Sequence, residues 1–305
     1  MSRLKNAYHF LFAWFSSFLY GNPSKDLYVI GVTGTKGKST VVELLSAVLE
    51  AGGKKTAFLS SVQVKIGDLY EKNLTGNTMP GRLFIQKWLR RAADKKSQYA
   101  ILEVTSQGVS QHRHRFIDFN VAAMTCLHAE HIESHGSFEN YREAKVKFFR
   151  DSACLSPKPH KLFFINSDAG NDRQYFSHAA YDAVNRCQLG EVNFYAREEF
   201  VKDVLRGNHR QLGDWLSSGF NLENAALVHA IARAQGIPDE VIIKALAGFR
   251  GVPGRMEFFD ARTKTSGGIF RVVVDYAHTP GSFEALFSEL HRRLGHEHRL
   301  IAVFG

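Results

Sequence analysis

The chain has 305 residues, 44% hydrophobic and 23% charged, ordinary globular proportions that exclude a disordered or fibrous protein and leave room for two domains. Its formal net charge of +9 would suit a polyanionic partner, yet Lys and Arg are scattered and the aromatic residues do not interleave with them, so a nucleic-acid binder is not expected. Cys126, Cys154 and Cys187 form no Cys-x-x-Cys pair, which excludes a zinc ribbon and a disulfide framework and fits a reducing cytoplasm.

In chain order, residues 8–20 (YHFLFAWFSSFLY) are apolar and aromatic and follow Arg3 and Lys5. The stretch is too short to span a bilayer, and no small-x-small cleavage site follows it, so export is not expected. Two readings stay open: a helix packed on the domain, or an interfacial anchor making peripheral contact with the inner membrane surface.

Residues 27–33 form a short β-branched run ending in a glycine-rich turn, and Val41, Leu44, Leu45, Val48 and Leu49 then recur at helical spacing. The pattern predicts strand, loop, helix. Further strands are expected over 56–59, 99–104, 119–125 and 161–165, and helices over 83–93, 138–149 and 222–234. Pro238 opens another helix, with Asp239 and Glu240 in its first turn where the dipole favours acids. Such alternation predicts an α/β fold, a doubly wound, mostly parallel sheet with sites at the carboxyl ends of its strands. The stretch 167–219 is poorly periodic and receives no assignment. Residues 248–254 read as a hinge, followed by a strand (270–275), a helix (282–294) and a strand (300–304). The domains expected are an apolar segment (1–26), a central domain (27–250) and the start of a second α/β domain (251–305).

Between the first strand and helix lies Gly31-Val32-Thr33-Gly34-Thr35-Lys36-Gly37-Lys38-Ser39-Thr40, in the context that a phosphate loop requires. Glycines let backbone N–H groups turn inward, the helix N-terminus adds partial positive charge, Lys38 can reach β- and γ-oxygens, and Ser39 is placed to hold Mg²⁺. Val32 stands where the common pattern has glycine, so the loop is a variant. His128, His131 and His135, with Cys126 nearby, invite a zinc reading, but their spacing matches no common zinc signature.

Six segments then occur in order: IGVTGTKGKST (30–40), EVTSQGVSQHR (103–113), AEHIESHGSFENYREAK (129–145), GFNLENAA (219–226), GRME (254–257) and DYAHTP (275–280). Together they resemble the Mur ligases, most closely the MurE type, which adds the third residue to UDP-N-acetylmuramoyl-dipeptide. The resemblance implies a P-loop central domain and an ATP-dependent acid–amino-acid ligase, cytoplasmic and monomeric, acting on a UDP-N-acetylmuramoyl-peptide and an amino acid with ATP and Mg²⁺. It implies nucleotide contacts from Gly34, Thr35, Lys36, Gly37, Lys38, Ser39, Thr40, Asn221, Asn224, Arg255 and Asp275. Metal ligands are implied at Ser39, Glu103, His131 and Lys145, the last matching a lysine carried as a carbamate; Lys38, Lys145, His131 and Glu103 form the catalytic set. Without the motif, Lys145 would read as a solvated helix lysine. Sugar-nucleotide contacts map onto Asn77, Thr78, Thr105, Gln111 and Arg113, with Met79 and Thr105 standing where the family usually has threonine and serine.

MurE-type proteins also carry an N-terminal uridine-binding domain and a complete C-terminal domain for the incoming amino acid, and neither is expected within these residues. Two alternatives are kept: a folylpolyglutamate-synthase-like ligase, and a nucleotide-binding partner subunit without ligase activity, although such a subunit typically carries a four-cysteine zinc ribbon.

Overall fold

A computed structural model describes residues 3–128, 135–187, 190–206, 208, 212–216, 218–262, 269–294 and 299–303. The apolar run Tyr28–Thr33 forms strand β1, and apolar side chains on both faces require it to lie inside a covered sheet. It pairs in parallel with β5 (Tyr99–Glu103) on one side and β6 (Phe119–Met124) on the other. Strands β2 (Thr56–Leu59), β7 (Leu162–Asn166) and β8 (Glu191–Tyr195) continue the parallel set. An antiparallel meander, β3 (Gln63–Ile66) and β4 (Leu69–Lys72), adds one edge. The sheet order is β4-β3-β2-β5-β1-β6-β7-β8, an α/β arrangement with a mostly parallel sheet, as expected.

Helices cover both faces. On one, α2 (Lys38–Ala51), α7 (Gly219–Ala234) and α8 (Asp239–Gly248) bury Val41, Leu45, Leu227, Ile231, Ile242 and Leu246. On the other, α3 (Arg82–Asp94), α5 (Phe138–Leu155) and α6 (Arg173–Cys187) bury Ile85, Trp88, Phe148, Phe149 and Phe176. The short helix α4 (Ser106–Ser110) follows β5, with Thr105 accepting from the Gly108 amide at 3.0 Å as its N-cap. Helix α1 (Arg3–Leu19) packs on this face near α3.

The unassigned stretch 167–219 contains α6 and β8, and neither β3 nor β4 was anticipated. By contact density the chain divides into two compact units, Met1–Arg250 and Gly251–Gly305. The second holds an antiparallel pair, β9 (Glu257–Arg262) and β10 (Ile269–Val274), and helix α9 (Pro280–Leu294). Residues 299–303 pair with no described strand, so the strand expected over 300–304 is not found among the described residues. Ile301 and Val303 are exposed there, with no ladder among the described residues to receive their backbone.

Candidate functional site

The turn from β1 into α2 is held open by backbone geometry that side chains cannot share. Gly34 has φ 140° and Gly37 φ 81°, and a Cβ at Gly37 would lie 2.2 Å from Asn224 Oδ1. The loop is clamped from the end of β6: Thr125 Oγ1 donates to the Lys36 carbonyl at 2.6 Å, and the Thr35 amide donates to the Cys126 carbonyl at 2.8 Å. Beneath it, Tyr195 donates to the Met124 and Thr125 carbonyls at 2.8 and 3.0 Å, and Asn166 donates to the Thr125 carbonyl at 2.9 Å. The effect is a rigid cradle at the carboxyl ends of β1 and β6.

Two ammonium groups converge on it. Lys38 Nζ donates to the Gly34 and Thr35 carbonyls at 2.9 Å each. Lys145 Nζ donates to the Gly34 carbonyl at 2.7 Å and sits 4.6 Å from the centroid of the Tyr141 ring. Lys145 is 2% exposed, so it is a core residue of α5 rather than a solvated one. Taking an ammonium out of water costs several kcal/mol, and the carbonyl and the aromatic face offset part of that cost. Tyr141 reaches the loop as well, its hydroxyl 3.0 Å from Thr35 Oγ1.

Ser39 and Glu103 meet through Ser61: the Ser39 and Ser61 hydroxyls are 2.8 Å apart, and the Ser61 amide donates to Glu103 Oε1 at 2.6 Å. A hydroxyl and a buried carboxylate are hard oxygen donors, so this pair fits a cation that keeps water and phosphate ligands. His131 lies outside the described residues. Among the described residues no three His, Cys, Asp or Glu side chains converge, and the zinc reading, which includes His131, falls partly outside them. Asn221 and Asn224 are both buried near the start of α7, with Asn224 Nδ2 3.4 Å from Asn221 Oδ1 and Asn221 donating to the Trp215 carbonyl at 2.8 Å. Thr40 lies in the first turn of α2.

A second cluster surrounds α4. Arg113 donates to Gln111 Oε1 at 2.7 and 3.1 Å and to the Met79 carbonyl, while Arg82 donates to the Gln111 carbonyl. Burial holds both guanidinium pKa values below the ordinary arginine value, and that of Arg82 is lowered further by the charge of Arg113. Arg82 Nε is buried without a hydrogen-bond partner among the described residues, so the pair favours an anion. Thr105 is occupied by its capping bond, Asn77 is exposed, and Thr78 is half-buried. In the second unit, Asp275 accepts from the Met256 and Ala277 amides at 2.8 and 2.7 Å, and Arg255 lies 4.7 Å from the Tyr276 ring centroid.

Sequence reasoning missed Tyr141, Thr125, Ser61 and Arg82. Tyr141 had a signal, since it falls one turn before Lys145 on the buried face of α5. Thr125 and Ser61 had none, because their roles arise from strands distant in sequence meeting the loop.

The family model for the Mur ligase middle domain matches residues 32–231. The UDP-N-acetylmuramyl-tripeptide synthetase of Roseiflexus sp. (strain RS-1) is 34% identical over 302 residues, covering 94% of this chain and 58% of that protein. The UDP-N-acetylmuramoyl-L-alanyl-D-glutamate--2,6-diaminopimelate ligase of Syntrophomonas wolfei is 33% identical over 293 residues, with the same two coverages of 94% and 58%. The chain thus spans 58% of the length of these curated relatives. A solved structure of a ligase with that second name aligns at TM-score 0.65 and 24% identity over 87% of this chain and 54% of its own. The Mycobacterium tuberculosis folylpolyglutamate synthase complexed with ADP and AMPPCP aligns at TM-score 0.66 and 16% identity, covering 90% of this chain and 69% of that one. At those identities the two structures establish the fold alone. With a glycine-turned loop between β1 and α2 and a family match across most of the first unit, the chain belongs to the Mur ligase family.

Proposed function

We propose that the protein is an ATP-dependent carbon–nitrogen ligase of peptidoglycan precursor synthesis, adding an amino acid to a UDP-N-acetylmuramoyl-peptide through an acyl phosphate. The observation that carries this reading is the convergence of Lys38 and Lys145 on the Gly34 carbonyl at the mouth of a phosphate cradle. In the reaction a substrate carboxylate attacks the γ-phosphorus of ATP, the bond to the β–γ bridging oxygen breaks, and ADP leaves. The amine of the incoming amino acid then attacks the acyl carbon, phosphate departs, and the amine loses a proton.

Lys38, moving from the loop carbonyls to the β- and γ-oxygens, neutralises charge as it builds there, which is most of what a phosphoryl-transfer enzyme must supply. Ser39 and Glu103, with His131 and a carbamylated Lys145, would hold Mg²⁺, which when bound adds positive charge beside the same oxygens. The loop amides of residues 34–40 and Asn221 and Asn224 position the nucleotide, while Arg255 and Asp275, in residues 251–305, match the ATP contacts that the family resemblance implies. The guanidinium groups of Arg113 and Arg82 suit the carboxylates and phosphates of the sugar nucleotide, with Asn77, Thr78, Thr105 and Gln111 as further contacts. In this reading residues 27–250 are the ATP-binding domain, and the protein works as a cytoplasmic monomer, with residues 8–20 available for peripheral membrane contact.

The folylpolyglutamate-synthase-like alternative rests on shared fold alone, whereas the relatives more than 30% identical cited above are named as a UDP-N-acetylmuramyl-tripeptide synthetase and a UDP-N-acetylmuramoyl-L-alanyl-D-glutamate--2,6-diaminopimelate ligase. To test the proposal, purified protein is incubated with ATP, Mg²⁺ and UDP-N-acetylmuramoyl-dipeptide, with and without a panel of amino acids, and ADP is measured. ADP release should require the sugar nucleotide; release that instead depends on a folate, or none with either acceptor, would rule out the assignment.

A further inference from the structure

Helix α1 lies outside residues 32–231, the part of the chain that the family model matches, yet it packs on α3 and reaches the cluster around α4. Its contacts show which face is docked. The Phe12 ring centroid lies 5.9 Å from the Arg82 guanidinium, Ala13, Ser16 and Ser17 are buried, and Asn6 Oδ1 is 2.7 Å from His112 Nε2. His9 falls three residues before Phe12 and four before Ala13, so it shares that face. Its ring is half-buried, and its Nδ1 is buried with no hydrogen-bond partner among the described residues.

Beneath this face two guanidinium groups and an imidazole come together. Arg82 is 7% exposed, and its Nε is buried with no partner among the described residues. Arg113 already spends its nitrogens on Gln111 Oε1 and the Met79 carbonyl, so it brings charge to the site more than free donors. Burial lowers the pKa of both arginines, and the charge of Arg113 lowers that of Arg82 further, with no carboxylate acting on either among the described residues. Burial also lowers the pKa of His9, with Arg82, Arg113 and Lys5 acting in the same direction. Like charges held together out of water, and a buried donor left unpaired, both cost free energy that a bound anion would remove. Two permanent positive charges and an imidazole match the two negative charges of a diphosphate better than the single charge of a carboxylate, and a guanidinium fork suits phosphate oxygens.

We infer that α1 completes a seat for the diphosphate of the sugar nucleotide, in which Arg82 Nε and His9 Nδ1 donate to its oxygens and Arg113 supplies the second fixed charge. This rests on the sugar-nucleotide reading above. What it adds is that a helix preceding the matched family domain takes part in substrate binding, with His9 on α1 and Arg82 on α3 holding one ligand between them. A filled seat therefore also ties α1 more firmly to α3.

The test is calorimetric titration of the 305-residue chain with UDP-N-acetylmuramoyl-dipeptide and with UDP-N-acetylglucosamine, which keeps the diphosphate but has no carboxylate. The wild type should bind both. Arg82→Gln should weaken each ligand by the same factor, at least about tenfold, as expected when a charged donor to phosphate is lost. His9→Leu, which keeps an apolar contact on α1 and serves if Arg82→Gln does not fold, should weaken each roughly fivefold. Lys38→Ala should leave both affinities unchanged, which separates this seat from the nucleotide cradle. Without ligand, the unfolding midpoint of Arg82→Gln should hold or rise, because the two guanidinium groups no longer repel. Affinities untouched by the Arg82 and His9 substitutions would overturn the inference and leave the ligase reading standing. So would a loss confined to the dipeptide-bearing ligand, with UDP-N-acetylglucosamine unbound or unaffected, since the seat would then take a carboxylate. A wild type that binds neither sugar nucleotide would overturn the inference together with the substrate reading on which it rests.

Discussion

The Lys145 ammonium donates to the Gly34 carbonyl at 2.7 Å across 111 residues of sequence, tying the middle of α5 to the glycine turn between β1 and α2. The same carbonyl accepts from Lys38 at 2.9 Å, so one oxygen serves as the meeting point of two cations. Lys145→Met removes a buried charge whose desolvation is only partly offset and leaves the Gly34 carbonyl its bond from Lys38, so the unfolding midpoint should hold or rise. A fall of more than about 3 °C by calorimetry would show that the bond to Gly34 outweighs the desolvation. If Lys145 is carbamylated, intact mass in saturating bicarbonate rises by one CO₂ and the gain disappears in Lys145→Arg. No such gain would leave Lys145 as a loop anchor only.

Gly37 and Gly53 share nearly the same backbone, φ 81° and 77°, but differ in surroundings. A Cβ at Gly53 meets nothing within 4 Å, whereas one at Gly37 falls 2.2 Å from Asn224 Oδ1. Gly53→Ala should thus cost only the left-handed backbone penalty of about 1 to 2 kcal/mol and leave nucleotide binding intact. Gly37→Ala should cost more and abolish Mg–ATP binding, because the loop or α7 must move. Equal effects of the two substitutions on binding would show that Asn224 is not packed on the loop.

His112 sets a pH window for stability. Burial lowers its pKa to about 4, helped by His114, Lys147 and Arg115 and opposed by Asp151. Its Nδ1 is buried with no hydrogen-bond partner among the described residues, so a proton there would be poorly compensated. The unfolded imidazole takes up its proton near pH 6.5, before the folded one does, so the unfolded state binds more protons in between. This contribution is fully present above about pH 6.5 and is lost as pH falls toward about 4. The unfolding midpoint should drop on acidification from pH 7 to pH 5, and less steeply in His112→Asn, since asparagine tolerates the φ of 58° at this position. Identical slopes in the two proteins would remove His112 from the account.

The parts legible in the sequence were those in which one local pattern agrees with the fold. The run into β1, the glycines of the loop and the heptad-like spacing of α2 all pointed the same way, and β5 and β6 read directly as buried apolar runs. The β3–β4 hairpin was overlooked although Gly67-Asp68 between Ile66 and Leu69 is a short-turn signal, because β4 is exposed along its whole length and shows no alternation. Helix α6 was hidden because its buried stripe is Phe176, Ala179, Ala180 and Ala183, three small residues with little periodic contrast. At the site, Lys38 and Ser39 followed from the loop pattern. The burial of Lys145 did not, since a lysine among apolar helix positions reads as solvated until its neighbours Tyr141, Phe148 and Phe149 are seen to be core.

The claim that the turn at residues 34–40 is a working nucleotide cradle is tested most directly by calorimetric titration of the 305-residue chain with Mg–ATP, beside Lys38→Ala. The wild type should bind at one site, and the variant should bind at least about tenfold more weakly, the loss expected when a charge-assisted hydrogen bond to phosphate is removed. An unchanged dissociation constant in Lys38→Ala, or no heat of binding from the wild type, would contradict it.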